Sequence, residues 1–179
     1  MRPRFEDLAV TRWGARFRGR RFPCAIGWGG ISGRKREGDG ATPAGVLRFV
    51  GSAYRADRIA RPPPARTVAV RMVPIGPADI WSDDAADPGY NHGGNARFYP
   101  FSHERMRRAD RMYDVVVMTD WNWPKAEPGR GSAIFAHCWK TPRKPTAGCV
   151  AFARSDLIWI IRRWTPRSRL IVQPAALSA

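Results

Sequence analysis

Long apolar runs are absent from this chain of 179 residues, and no stretch approaches the roughly 18 consecutive apolar residues of a transmembrane helix. The first residues begin with basic side chains but lack the apolar core of a signal peptide, so no export signal is visible. Two expectations stay open: a cytoplasmic protein, or an export signal that lies outside this sequence. A chain of this length suits one domain that buries its own core. We therefore expect a single domain over residues 1–179, with a core at about residues 8–173.

Cysteines are few, and Cys24, Cys138 and Cys149 show no paired C-x-x-C spacing, which argues against a structural zinc site. We expect no metal. Cys138 directly follows His137, and neighbouring residues of a strand point to opposite faces. If His137 faces a site, we expect Cys138 to face away from it as a small buried apolar residue.

Acidic residues are scarce beside basic ones: 15 Asp and Glu stand against 31 Lys and Arg, for a formal net charge of +16. Such an excess favours anionic surroundings, such as nucleic acid, a membrane surface or an anionic cell-wall polymer. An arginine-rich composition also follows from a GC-rich genome, so charge alone does not identify a partner. Three clusters hold much of the excess: Arg16, Arg18, Arg20 and Arg21; Arg105, Arg107, Arg108 and Arg111; Arg162, Arg163, Arg167 and Arg169.

Two neighbouring segments carry the candidate chemistry. An apolar run over residues 133–136 ends at His137, and a short polar loop then leads to Gly148 and Cys149 before another apolar run. A thiol titrates near about 8.5, and a nearby imidazole lowers that pKa and stores the proton. Glycine permits a sharp turn that brings backbone N–H groups close to an oxyanion. The residues alone predict a Cys–His acyl-transfer or hydrolytic site, with a structural cysteine as the alternative.

The remaining pattern predicts a mostly β fold with about two short helices. Apolar and β-branched runs predict strands, the clearest at residues 113–119 and the one that delivers His137 at residues 132–137. We expect helices at residues 101–111, from Ser102, and at residues 156–164, capped by Ser155. Residues 51–66 are predicted as loop and residues 68–75 as strand. Residues 76–100 are predicted to form a long irregular insert whose acidic residues favour solvated turns over a metal site.

The two segments resemble the signature of the L,D-transpeptidase catalytic domain family (YkuD-like). There a histidine precedes a Ser/Thr-x-Gly-Cys-Val/Ile motif, here His137 and Thr146-Ala147-Gly148-Cys149-Val150. The turn Thr42-Pro43-Ala44-Gly45 also resembles an early element of that domain, and the likeness runs from about residue 8 to residue 173. The chain departs from the family at Ala147, Ala151 and in the short separation of the pair, 149 − 137 = 12 residues. The sequence is thus similar to a divergent, short branch.

The resemblance implies a β-rich peptidoglycan L,D-transpeptidase of the periplasm or cell envelope that needs no cofactor. Cys149 would be the nucleophile toward tetrapeptide stems and His137 the general acid and base. Backbone N–H at Gly148 would form the oxyanion hole, and the backbone carbonyl of Thr146 would orient His137. The contacts to the peptidoglycan stem peptides are not identified by the motif.

Two alternatives remain open at this point. The same Cys–His site could pass the thioester to water, which would make the protein a peptidase or hydrolase of peptidoglycan or of a lipoprotein link. A non-enzymatic module could instead bind a polyanion through the arginines and some of the eight tryptophans. We expect no specific nucleic-acid partner and take the protein to be a monomer.

Overall fold

Short β-strands make up most of the computed structural model, which describes residues 2–60 and 72–174. The strands are β1 Leu8–Thr11, β2 Gly14–Phe17, β3 Arg20–Phe22, β4 Cys24–Ala25, β5 Ile31–Ser32, β6 Thr42–Pro43, β7 Gly45–Leu47, β8 Phe49–Tyr54, β9 Met72–Pro74, β10 Asp79–Ser82, β11 Gly93–Asn95, β12 His103–Arg105, β13 Val115–Thr119, β14 Phe135–Cys138, β15 Val150–Phe152 and β16 Leu170–Val172. Within these residues there is one helix, α1 Arg154–Arg163. The prediction of a mostly β fold is confirmed.

Two larger sheets form the body of the fold. One has the strand order β3-β2-β1-β16-β7, and the other has the order β4-β15-β14-β13-β8-β9. In the second sheet β14 runs antiparallel to β13 and parallel to β15. A smaller sheet has the order β11-β10-β12, and β5 pairs with β6. The parallel pair β14–β15 places the two segments singled out in the sequence side by side.

Side chains of β14 alternate between two apolar clusters, as the period of two in a strand requires. Ala136 and Cys138 belong to the main core, which also contains residues of the five-stranded sheet and of α1. Phe135 belongs to a second cluster with Tyr113. His137 shares the face of Phe135 and therefore points away from the main core. Cys138 faces the main core, as strand parity predicts.

The insert and the segment after it differ from the prediction. Residues 76–100 contain β10 and β11, and the helix expected at residues 101–111 is replaced by β12, which pairs with β10. The local sequence favours a helix here, but pairing of β12 with β10 prevails because it satisfies the backbone hydrogen-bonding groups of both segments. Arg108 then closes the following turn through ion pairs with Glu104 and Asp110. The count of two helices was therefore wrong for the described residues.

Other boundaries shift by smaller amounts. The predicted loop at residues 51–66 gives way at its start to β8, which runs to Tyr54, while residues 61–66 lie outside the described part. Of the strand expected at residues 68–75, Met72–Pro74 is a strand and residues 68–71 are outside that part. Helix α1 begins at Arg154, and its N-cap, Ala153, lies two residues before the predicted cap, Ser155. No helix in residues 2–60 and 72–174 is long and apolar enough to cross a membrane.

Candidate active site

Cys149 lies at the entrance to β15, beside the start of β14. Its thiol donates a hydrogen bond to the Ala133 carbonyl (3.0 Å), and the Phe135 N–H lies 3.4 Å from the sulfur. The residue is partly exposed and packs against the second cluster. The sulfur is therefore held by backbone groups on the face of the sheet that carries His137.

His137 is two residues farther along β14 than Phe135, a strand rise of about 6.6 Å. It pairs in register with Ala151 and is only 1% exposed. Its Nδ1 lies 2.8 Å from the Cys138 carbonyl oxygen. Because a carbonyl only accepts, Nδ1 carries the proton, and Nε2 keeps the lone pair that a general base uses. The structure thus brings the two residues singled out for acid–base and nucleophilic chemistry to one face of two adjacent strands.

The carbonyl that orients the imidazole is not the one predicted. The Thr146 carbonyl accepts a hydrogen bond from the Trp28 N–H at 2.9 Å, while the imidazole is bonded to the Cys138 carbonyl. The expectation for Thr146 is corrected accordingly. The reason is a long-range bridge between Gly27 and Thr146, which draws the Thr146 backbone toward the segment at residues 26–28.

The side chain of Thr146, rather than its carbonyl, shapes the nucleophile loop. Its hydroxyl donates to the Cys149 carbonyl at 2.7 Å and lies 3.2 Å from the Gly148 N–H, which donates to it. These bonds close a tight turn directly before β15. In this state the Gly148 N–H, expected to serve the oxyanion hole, has the Thr146 hydroxyl as its acceptor.

Both the backbone conformation at position 148 and the lack of space for a side chain there require glycine. Its φ is +144°, and a Cβ there would lie 3.0 Å from the Ala41 carbonyl oxygen and 3.1 Å from Cδ1 of Ile134. Ala41 precedes the Thr-Pro-x-Gly turn, whose Thr42 hydroxyl accepts the Gly27 N–H at 2.8 Å. The two motifs that carried the family resemblance therefore meet behind the nucleophile loop.

The electrostatics keep both reactive groups neutral at rest. Burial, reinforced by the charge of Glu104, raises the pKa of the Cys149 thiol to about 12. Burial also lowers the pKa of His137 to about 4, and the nearby charge of Arg108 acts in the same direction. This reverses the expectation that the imidazole lowers the thiol pKa. The free site holds a neutral thiol and a neutral imidazole rather than an ion pair.

We therefore expect slow alkylation of Cys149 in the free protein at pH 7. Because the thiolate is the reacting species, iodoacetamide should modify Cys149 more slowly than free cysteine, and the rate should keep rising beyond pH 9. Peptide mapping by mass spectrometry after timed labelling measures this rate for each cysteine. A rate plateau near neutral pH would contradict the neutral pair.

A cleft of about 250 Å³ opens beside His137, and Thr146 and Ala151 form part of its wall. The small side chain of Ala151 leaves space directly next to the imidazole in register. The cleft lining also includes Lys140, Lys144 and the ion pair of Arg108 with Asp110, so the two lysines supply its excess positive charge. The site can therefore admit an anionic or carboxylate-bearing molecule next to the base.

Asn91, in the insert, is a site residue that the sequence analysis missed. It is buried, and its side chain makes four hydrogen bonds, with the Ala133 N–H (2.9 Å), Trp81 Nε1 (2.9 Å), the Trp121 carbonyl (3.1 Å) and the Asn122 carbonyl (2.7 Å). Ala133 has a left-handed φ of +49°, uncommon for alanine, and its carbonyl accepts from Cys149. No sequence pattern marks Asn91, because its partners are 10 to 42 residues away.

Replacing Asn91 by alanine should lower the free energy of unfolding by at least about 2 kcal/mol, since several buried backbone groups lose their partners. Urea unfolding at pH 7 measures the change. Asn95→Ala is the matched control, because Asn95 is exposed and accepts only a local bond from the Arg97 N–H among the described contacts. Equal midpoints for the two variants would remove Asn91 from this role.

Two further polar residues, Asp87 of the insert and His103 just after it, have structural partners. Asp87 accepts hydrogen bonds from the hydroxyls of Ser82 and Tyr99 and from the Gly89 N–H. His103 is bonded through Nδ1 to the Phe101 carbonyl. Among residues 2–60 and 72–174, no group of three or more His, Cys, Asp or Glu side chains is arranged to hold a metal ion.

Comparison with known proteins gives one match. The family model described as the L,D-transpeptidase catalytic domain (YkuD) matches residues 10–172, nearly the whole chain. Searches of curated proteins and of solved structures found no match. The matched range contains both strands of the site, the Thr146 turn and Cys149.

Proposed function

Because this chain belongs to the L,D-transpeptidase catalytic domain family, whose members are cysteine-dependent enzymes that act on peptidoglycan, we propose that it cross-links peptidoglycan by acyl transfer through Cys149. The observation that carries the proposal is the shared face of β14 and β15, where Cys149 adjoins Phe135 and His137 lies two residues farther on. We also propose that the chain acts as one catalytic domain in the cell envelope, where this substrate lies.

In the proposed first half-reaction, Cys149 Sγ attacks the carbonyl carbon of the third residue of a tetrapeptide stem. The thiol proton passes to His137 Nε2 as the S–C bond forms. The tetrahedral intermediate then collapses, the peptide bond to the terminal D-alanine breaks, and Nε2 returns the proton to the leaving amine. The product of this half is a thioester on Cys149.

In the second half, a side-chain amine of a neighbouring stem attacks the thioester carbon. Nε2 takes a proton from the amine and delivers it to the departing sulfur, which restores the neutral thiol. The imidazole, with its low pKa, is unprotonated at pH 7 and has a free Nε2 lone pair, but it is a weak base. In this proposal the proton therefore moves only as the new bond to the carbonyl carbon forms. An amide bond between two third-position residues results.

We assign the oxyanion to the backbone N–H groups of Gly148 and Cys149. Gly148 would exchange its bond to the Thr146 hydroxyl for one to the oxyanion as charge develops. Loss of one such donor typically costs roughly 10²–10³ in rate. The two lysines of the neighbouring cleft, Lys140 and Lys144, would attract the carboxylates of stem peptides.

The decisive experiment incubates the protein with purified disaccharide-tetrapeptides and analyses products and tryptic peptides by mass spectrometry. We expect cross-linked dimers that lack one D-alanine, and an acyl adduct on the peptide that contains Cys149. Adducts on the Cys24 or Cys138 peptides report non-specific acylation and serve as internal controls.

Two other outcomes separate the alternatives. Shortened monomers without dimers, together with the Cys149 adduct, would replace cross-linking by hydrolysis at the same site. Neither product nor adduct, with folded protein, would overturn acyl transfer through Cys149.

A further inference from the structure

Three arginines converge on a second cleft, far from the nucleophile in the fold. The cleft has a volume of about 470 Å³ and is lined by Arg18, Arg162, Arg163, Trp164 and Thr165. Trp164 and the neighbouring Phe17 belong to the main core, whereas Cys149 packs against the cluster on the other face of the six-stranded sheet. This cleft is therefore separate from the candidate active site. It unites members of the first and third arginine clusters of the sequence.

Within the described residues, none of Arg18, Arg162 and Arg163 forms an ion pair, although the adjacent Arg20 pairs with Asp156 at 3.3 Å. Nε of Arg18 is buried without a hydrogen-bond partner in the same part of the chain. The carbonyls at the C-terminal end of α1 partly offset the charges of Arg162 and Arg163, and Arg163 Nη1 donates to one of them, that of Trp159, at 3.4 Å. No carboxylate completes this compensation among the described ion pairs, so an anion in this cleft would reduce the remaining repulsion.

Aromatic rings hold two of the guanidinium groups in place. Arg163 Cζ lies 4.0 Å from the ring centroid of Trp159, and Arg18 Cζ lies 5.7 Å from that of Phe17. Such contacts occupy the flat face of a guanidinium and leave the N–H groups at its edge for hydrogen bonds. Arg18 also has a left-handed φ of +48°, at a turn where glycine or asparagine is more usual. The Arg18 side chain thus reaches the cleft from a backbone conformation that is energetically unfavourable for arginine.

We propose that this cleft, called here the arginine cleft, binds a phosphate monoester. A phosphate monoester carries about −1.5 to −2 charges near pH 7 and three acceptor oxygens, which suits three guanidinium forks better than a single carboxylate does. The volume leaves room for the esterified group beside the phosphate. The group is supplied either by a soluble phosphorylated compound or by a lipid headgroup. The proposal does not depend on acyl transfer at Cys149.

Calorimetric titration of the full chain with glycerol 3-phosphate tests the proposal. We expect saturable binding that weakens roughly tenfold or more in the double variant Arg162→Gln/Arg163→Gln, because charge-assisted hydrogen bonds are lost. Arg18→Asn should weaken binding as well, and asparagine tolerates the left-handed backbone, so folding is kept. The matched control Arg12→Gln/Arg34→Gln removes the same charge from exposed positions outside the cleft.

Each outcome decides something. Binding to glycerol 3-phosphate but not to phosphatidylcholine vesicles containing phosphatidic acid supports a soluble source, and binding to both supports an accessible headgroup site. Acetate binding as tight as that of glycerol 3-phosphate overturns the phosphate assignment. The proposal that this cleft binds phosphate is overturned if the control variant loses as much affinity for glycerol 3-phosphate as the cleft variants do, or if the unsubstituted protein does not bind it. It is also overturned if the protein binds duplex DNA but not glycerol 3-phosphate, and the cleft variants leave the DNA binding unchanged.

Discussion

Replacing Cys149 by alanine is expected to abolish cross-link formation, with a loss of at least about 10³-fold, because no other group can carry the thioester. Cys149→Ser should lose comparable activity although its hydroxyl can still donate to the Ala133 carbonyl. The serine variant therefore separates the chemistry of the sulfur from its hydrogen bond. Initial rates of dimer formation from disaccharide-tetrapeptides measure both variants.

Cys138→Ala is the matched control for this substitution. Cys138 is the other cysteine near His137, but its side chain lies in the main core and its thiol is 3.7 Å from the Val115 carbonyl. We expect turnover within a few-fold of the unsubstituted protein, with some loss of stability from the removed volume. If Cys149→Ala kept activity while Cys138→Ala lost it, the nucleophile would have to be reassigned.

Replacing His137 by glutamine is expected to lower turnover by roughly 10²–10⁴, the usual contribution of a general acid–base group. Glutamine is close to histidine in length and stays neutral over this pH range, so the proton acceptor is lost. Its amide nitrogen takes the place of Nε2, so the Nδ1 bond to the Cys138 carbonyl is lost with it. Turnover is measured at saturating tetrapeptide over pH 6–9. A variant with unchanged kcat would show that another group moves the proton.

The same variant has a second readout in its stability against pH. The pKa of His137 is about 4 in the folded protein and about 6.5 for the free side chain. Between these values the unfolded chain binds a proton that the folded protein does not, so stability falls as the pH decreases from 7 to 4. The expected loss from this residue is roughly 3 kcal/mol. Urea unfolding at both pH values should show a smaller loss in His137→Gln, and equal losses would contradict the neutral buried imidazole.

The local sequence pattern predicted those parts of the site that depend on the alternation of side chains along a strand. The end of the apolar run before His137 lies in β14, which begins at Phe135 rather than at the predicted residue 132, and the alternation of that strand places Cys138 in the main core. The same local reasoning failed at residues 101–111, where helix signals were overridden by the pairing of β12 with β10. Strand pairing of this kind depends on residues far apart in the chain, which a local window does not see.

The features of the site that were not predicted from the sequence depend on hydrogen bonds between residues far apart in the chain. The Thr146 carbonyl is bonded to Trp28, more than a hundred residues earlier, so the imidazole takes its orientation from Cys138. Asn91 fixes Ala133 from across the insert. Burial, which also depends on the whole fold, moves the pKa values of Cys149 and His137 apart in the direction opposite to the sequence-based expectation.

The bond between His137 and the carbonyl of its own neighbour has a consequence for how the site can change over evolution or by design. The imidazole tautomer is set inside β14, without any contribution from the connection that leads to Cys149. Residues 140–145 of that connection are exposed. Insertions or deletions there can alter the shape of the substrate entrance while the proton stays on Nδ1. The orientation of the base thus depends on β14 alone. The 12-residue separation of His137 and Cys149 is one permitted length rather than a requirement of the chemistry.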